Sequence, residues 1–337
     1  DPTTNSSHAG SFSLTFNATD TINTAQTIQN FSLSFSASWG DRGTIAGGYD
    51  YSGGGNNVDN IDYFDITTAG NASDFGNLVV GRERLSGVSS GTYIVWSGSK
   101  YNSISTADQR KMDYITVATT GNAANFTGLY LTNKGSDASA GDGSRGLFYG
   151  AGGTISNEIK NITIEIPGSN AADFGDQTES KRAATATGND TYALAAGGST
   201  ASPNDIWDYS NRIDRVTVQT AGNASDFGNL TQQRNQFTAC SDDTRAVFSP
   251  GYEYTNSTYG MDYVTIATAG NATSFGTAGD LGYFGGQSNG TRGVFKDVGN
   301  SNGLSYITIQ TLGNTTDFGD LTYKPIEIGT GASGFDA

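Results

Sequence analysis

The stretch Asp62-Tyr63-Phe64-Asp65-Ile66-Thr67-Thr68-Ala69-Gly70-Asn71-Ala72-Ser73-Asp74-Phe75-Gly76-Asn77-Leu78 returns five more times along the chain with small changes. Later copies carry Gly121-Asn122-Ala123-Ala124-Asn125-Phe126, Asn170-Ala171-Ala172-Asp173-Phe174-Gly175 and Gly222-Asn223-Ala224-Ser225-Asp226-Phe227-Gly228. The last two are Gly270-Asn271-Ala272-Thr273-Ser274-Phe275-Gly276 and Gly313-Asn314-Thr315-Thr316-Asp317-Phe318-Gly319. Their asparagines stand 43 to 53 residues apart, a spacing typical of propeller blades and longer than that of most linear β-solenoids.

Within each unit, segments such as Tyr263-Val264-Thr265-Ile266 alternate large and polar side chains among β-branched residues and show no helical stripe, so they predict strands. The following Ala-Gly-Asn-Ala-Ser-Asp-Phe-Gly reads as a structural turn, with glycine supplying positive φ and Asn or Asp bonding local backbone. The return strand is then expected to start at Asn-Leu-Thr. A second recurring element, seen as Arg42-Gly43-Thr44-Ile45-Ala46-Gly47-Gly48 and Arg145-Gly146-Leu147-Phe148-Tyr149-Gly150, suits the crowded inner part of a blade, where backbones approach closely. About four strands per unit follow, and six units predict an all-β, six-bladed propeller over residues 31–337. Phe31–Ser38 and the stretch 320–328 each read as part of a blade, so their pairing would close the ring and hide its sheet edges.

Residues 1–30 precede the repeats. Phe12, Leu14 and Phe16 alternate with polar residues, which predicts an extended attachment arm that adds a strand to a partner.

Composition narrows the function. The 337 residues include 47 glycines without a Gly-X-Y period, only 15% charged residues, and a net charge of −15. Nucleic acid is an unexpected partner, because phosphate binding draws on clustered Lys and Arg. No apolar run approaches the length of a membrane-spanning helix, so no membrane association is expected. His8 is the lone histidine and Cys240 the lone cysteine. Ser-His-Asp catalysis and histidine-rich zinc sites therefore have little material, and Cys240 reads as a small buried hydrophobe.

A glycosidase needs only two carboxylates, but the aspartates at 74, 173, 226 and 317 recur from unit to unit, which marks them as structural. Arg42, Arg145, Arg245 and Arg292, with Arg82, Arg182 and Arg234, recur likewise and are expected to link blades as ion-pair partners or backbone donors. No catalytic residue and no cofactor is expected. Structural calcium is considered only around Asp137, Asp142, Asp242 and Asp243, although no Asp-x-Asp-x-Asp-Gly loop is present. Asn71, Asn223, Asn271 and Asn314 head Asn-x-Ser/Thr sequons that the repeated turn creates automatically.

Ser73-Asp74-Phe75-Gly76 resembles the Asp-box hairpin of sialidase propellers, with leucine replacing the usual closing aromatic. The longer phrase, most nearly matched at 261–276, resembles the repeats of kelch-like virion structural proteins of tailed phages, especially those infecting marine cyanobacteria. The resemblance covers residues 42–322. It implies a particle component and brings no catalytic motif. The chain is therefore expected to be a non-enzymatic fibre, appendage or decoration protein at the virion surface, joined to other virion proteins or to copies of itself through the arm, with host-surface glycan as a candidate contact. A secreted or cell-surface microbial adhesin or filament subunit, and a carbohydrate-active enzyme, are the alternatives.

Overall fold

The computed structural model describes residues 40–50, 56–98, 111–127, 138–151, 154–200, 208–253, 256–257, 260–278, 285–297, 299, 301–326 and 332–334. Among them are no helices, and the main sheets are the six blades of a β-propeller. From the axis outward, blade 1 consists of Ala332–Gly334, Arg42–Ala46, Asn60–Asp65 and Ser73–Asn77. Blade 2 is Ser86–Ser89, Tyr93–Ser97, Met112–Thr116 and Ala124–Thr127, and blade 3 is Ala138–Gly141, Arg145–Ala151, Thr154–Thr163 and Ala172–Arg182. Blade 4 is Thr185–Gly188, Tyr192–Ala196, Arg212–Thr217 and Ser225–Asn229. Blade 5 is Ala239–Ser241, Arg245–Phe248, Gly260–Thr265 and Thr273–Thr277; blade 6 is Gly286–Ser288, Arg292–Lys296, Gly303–Thr308 and Thr316–Asp320. Residues 1–39 lie outside the described part, and with them the arm and Phe12, Leu14 and Phe16.

The strands expected in the inner part of each blade are second from the axis, with a further short strand inside them. The innermost strands are mostly Ser, Ala, Gly and Thr, with Val88, Cys240 and Gln287 as larger members, because six backbones converge there and leave little room for bulky side chains. Short hydroxyls bind the ring internally: Ser139 Oγ donates to Gly87 O (2.7 Å), Ser241 Oγ to Gly188 O (2.6 Å) and Ser288 Oγ to Ser241 O (2.6 Å). The ring also closes differently from the expectation. The last unit does have an inner strand, Ala332–Gly334, which pairs with Arg42–Ala46 in register Arg42↔Gly334 and Thr44↔Ala332. Phe31–Ser38 lies outside the described residues.

A second correction concerns the repeated phrase. Asp74, Phe75, Asp173, Phe174, Asp226, Phe227, Asp317 and Phe318, with Phe126 and Phe275, belong to outermost strands, not to turns. Each phenylalanine is the extra residue of a β-bulge: Ile61 pairs with Gly76 and Asp62 with Asp74, leaving Phe75 between them, and the other five blades repeat the shift. A bulge breaks the two-residue alternation, so the aromatic side chain turns inward while Asp74 stays exposed. All six phenylalanines are buried. They join the blades: Phe75 packs with Ile115 and Val117 of blade 2, and Phe318 with Phe64 and Ile66 of blade 1.

The glycine that needs positive φ follows that phenylalanine. Gly76 has φ +147°, and a Cβ there would lie 2.4 Å from Gly121 O of blade 2. At Gly70, Gly222, Gly270 and Gly313, in the turn itself, a Cβ would meet nothing. This close approach lets each turn cover the preceding blade's edge. Gly121 N donates to Phe75 O (2.8 Å) and Ala123 N to Asn77 O (2.8 Å), while Asn122 Oδ1 accepts from Asn77 N (3.1 Å). Asn223, Asn271 and Asn314 repeat the side-chain bond. Asn71 makes it across the closure, to Asp320 N. Outer edges that would template further strand pairing are thereby occupied.

Candidate functional site

An antiparallel meander sends alternate connections to opposite faces of the ring. One face carries the turns between first and second strands and between third and outermost strands, and it is uniform. Asp142 Oδ1 accepts from Ser144 N (3.0 Å) and Arg145 N (2.7 Å). Asp242, Asn189 and Asn289 cap their hairpins in the same way. The second oxygens of Asp142 and Asp242 accept from Gln219 and Gln310 of the next blade, so two of the four candidate calcium aspartates have both side-chain oxygens engaged within the protein, and the Asp243 backbone carbonyl accepts from Asn189 Nδ2 (2.6 Å). Among the described residues, no three His, Cys, Asp or Glu side chains gather as a metal site. Asp137 lies outside the description.

The opposite face is irregular. Between second and third strands, blades 1, 4 and 5 insert small hairpins: Tyr49–Asp50 with Asn56–Asn57, Ser199–Thr200 with Asp208–Tyr209, and Tyr252–Glu253 with Asn256–Ser257. The blade 4 hairpin extends the blade 3 sheet through Lys181↔Thr200. Asn235 ties it to blade 5, donating through Nδ2 to Ser199 Oγ (2.6 Å) and exchanging backbone bonds with Tyr252. Tyr209 and Tyr252 meet edge to face at 6.4 Å. Tyr252 is 40% exposed, and Asp208 is exposed beside Tyr209. Aromatic faces beside carboxylate acceptors are the chemistry that binds hydroxyl-rich surfaces.

Beneath these hairpins lies a feature missed in the sequence. The aspartate of Ile-Asp-Tyr, Met-Asp-Tyr or Ile-Asp-Arg is buried in four blades, as Asp62, Asp113, Asp214 and Asp262. Each accepts a backbone N–H from the segment leaving the preceding blade: Val79 (3.2 Å) to Asp113, Thr178 (3.1 Å) to Asp214, Thr231 (3.0 Å) to Asp262 and Thr322 (2.6 Å) to Asp62. Three residues after that amide, Arg82 pairs with Asp113, Lys181 with Asp214 and Arg234 with Asp262. The cation expected at Arg182 is therefore one residue earlier. The other arginines are backbone donors between blades, Arg145 to Val218 O (3.0 Å), Arg245 to Ile309 O (2.9 Å) and Arg292 to Thr67 O (2.6 Å), and Arg42 bonds Val117 O. These buried carboxylates tie each blade to the one before it.

At the closure, Pro325 stands where the cation should be, and Asp62 has Thr322 Oγ1 (2.7 Å) and the Thr322 amide as donors. Burial, aided by Asp74, pushes its carboxyl above the ordinary carboxylate value despite those bonds. A raised folded-state pKa contributes stability that is present below the unfolded value and lost as pH rises through the folded one. Wild-type protein should therefore lose stability relative to Asp62→Asn as pH climbs above about 4, read as diverging denaturation midpoints. Parallel midpoints across that range would refute it.

Two other titratable groups, Cys240 and Lys296, are sealed. Burial, then Asp242, raises the Cys240 thiol, consistent with a buried hydrophobe. Burial pulls the Lys296 ammonium down to about 8, and its Nζ donates to Asp297 O (2.6 Å) and Gly299 O (3.3 Å). His8 lies outside the described residues. No family model matches the chain, and no curated protein is similar to it.

Proposed function

We propose that this chain is a non-enzymatic structural or adhesive propeller carried on a virus particle, as fibre, appendage or decoration protein, with its irregular face turned to host-surface glycan. The carrying observation is the inequality of the two faces. One repeats an outer turn whose asparagine bonds the preceding blade in five of the six copies; the other bears unlike hairpins with Tyr49, Tyr209 and Tyr252 near Asp50 and Asp208. Repetition keeps the ring intact, while variation confined to one face is how a rigid scaffold presents recognition loops. The repeat phrase at 261–276 supports the virion setting through its resemblance to phage structural repeats.

Attachment is assigned to residues 1–30, whose Phe12, Leu14 and Phe16 would add a strand to another virion protein or a second copy. Deleting residues 1–28 should leave a soluble propeller with unchanged thermal stability that no longer co-purifies with particles. Antibody labelling of intact particles should place the full-length chain at their surface. A truncated chain that still assembles would move attachment to the blades, and a full-length chain absent from particles would overturn the virion reading.

A further inference from the structure

The interface between blades 3 and 4 departs from its counterparts at three positions at once. Where the first interface has Ala46, Leu78 and Arg82, and the fourth has Ala196, Leu230 and Arg234, the third has Tyr149, Gln177 and Lys181. In the first and fourth, a small alanine accompanies an arginine that reaches Asp113 or Asp262 directly. In the third, the shorter lysine stops 3.7 Å from Asp214 Oδ2 and 3.9 Å from Glu179 Oε1, ion-pair distances too long for a hydrogen bond. The Tyr149 phenol is buried close enough to Asp214 for the carboxylate to add to the upward push of burial on its pKa.

All three replacements are polar and more than nine-tenths buried, yet Tyr149 OH, Gln177 Oε1 and Lys181 Nζ have no hydrogen-bond partner among the described residues. Folded chains rarely leave such groups unmet; at the corresponding positions of the first and fourth interfaces the unmet atoms belong to the ion-paired Arg82, Asp113 and Arg234, whereas here they sit on three side chains of different kinds. Asp214 is occupied on both oxygens by Thr178, and Glu179 accepts from Ser210. Lys181 and Arg212 balance Asp214 and Glu179, so the missing partner is neutral. It must accept from the ammonium and donate to the Gln177 carbonyl, which a hydroxyl group does in either direction.

We propose that the blade 3–blade 4 interface is a buried binding site for a neutral hydroxyl, supplied by ordered water or by a saccharide hydroxyl entering past Glu179 and Arg212. Those two side chains are 26% and 40% exposed and connect the cluster to the surface. Buried waters with two to four polar partners are common integral parts of folds. The saccharide source alone rests on the glycan reading above.

Crystals of the full chain, grown without polyols and then soaked in methyl α-glucoside, separate the sources. Unsoaked crystals should show a solvent peak within hydrogen-bonding distance of Lys181 Nζ and of Tyr149 OH or Gln177 Oε1. The variant Y149A/Q177L/K181R, which restores the pattern of the first and fourth interfaces, should lose that peak as its new guanidinium bonds Asp214. Tyr149→Phe keeps the shape if the triple variant does not fold, and its peak should lose the contact at position 149 while retaining Lys181. Saccharide density in the soak assigns the site to glycan; an unchanged solvent peak assigns it to hydration and counts against glycan contact there, leaving the site intact. Three groups bonded to protein atoms, with no density between them, would overturn the proposal.

Discussion

Phe318→Ala should destabilise the protein by about 3–5 kcal/mol, with Phe75→Ala and Phe227→Ala close behind. Phe318 is 2% exposed and sits where the last blade meets the first, with its ring 5.2 Å from that of Phe64 and 6.0 Å from that of Tyr306, both edge to face. Truncation removes the transfer free energy of the ring and leaves a cavity that neighbouring strands cannot fill, because Gly319 and the Asn71 bond fix their separation. The interface also lacks a buried cation on Asp62, so little else there compensates. Equilibrium denaturation of each variant, against Leu312→Ala as an exposed control, measures the effect. Midpoints matching the control for all three would mean that the outer aromatic layer does not hold blades together.

The blade count was legible because the phrase containing Phe75 and its counterparts survives in every unit, and each copy marks one outer strand. What that phrase does locally was harder to read. Ser73-Asp74-Phe75-Gly76-Asn77 lacks strand alternation since the bulge at Phe75 spends an extra residue, and its Gly, Asn and Asp imitate a turn. The innermost strands were illegible for another reason. Ala138-Ser139-Ala140-Gly141 and Ala332-Ser333-Gly334 have little intrinsic β preference, and convergence at the axis, a tertiary constraint, selects their small side chains. The same blindness hid the closing strand.

On the candidate site, repetition pointed away from the aspartates and arginines as substrate ligands; the arginines do join neighbouring blades, while Asp74 and Asp173 bond within their own blades. It gave no hint that Asp113 and Asp262 are buried, because a charged residue next to Tyr114 or Tyr263 in a strand reads as facing solvent. The signal was available in the pairing of that aspartate with a cation that leaves the preceding blade, Arg82 or Arg234, at a fixed offset from the outer strand. The tyrosine hairpins carry no repeat and so left no mark in a search for periodicity.

Arg234→Ala should cost about 3–5 kcal/mol at neutral pH, since breaking a buried pair strands its partner. Arg234 is fully buried, its Nη2 lies 2.8 Å from Asp262 Oδ2, and its guanidinium stacks 5.3 Å from the centre of the Phe237 ring. Without it, Asp262 would be left with the Thr231 amide and hydroxyl as donors, the arrangement that at Asp62 already raises a carboxyl. The loss should therefore shrink as pH falls, because a stranded Asp262 with a raised folded-state pKa regains stability on protonation. Adding Asp262→Asn to Arg234→Ala should recover part of the deficit at neutral pH and remove its pH dependence. Denaturation midpoints of the wild type, both single variants and the double variant, measured at neutral and mildly acidic pH, complete the cycle. If the Arg234→Ala deficit is equal at both pH values and untouched by Asp262→Asn, the arginine acts through volume and its stack on Phe237, and the buried carboxylates are not what fastens one blade to the next.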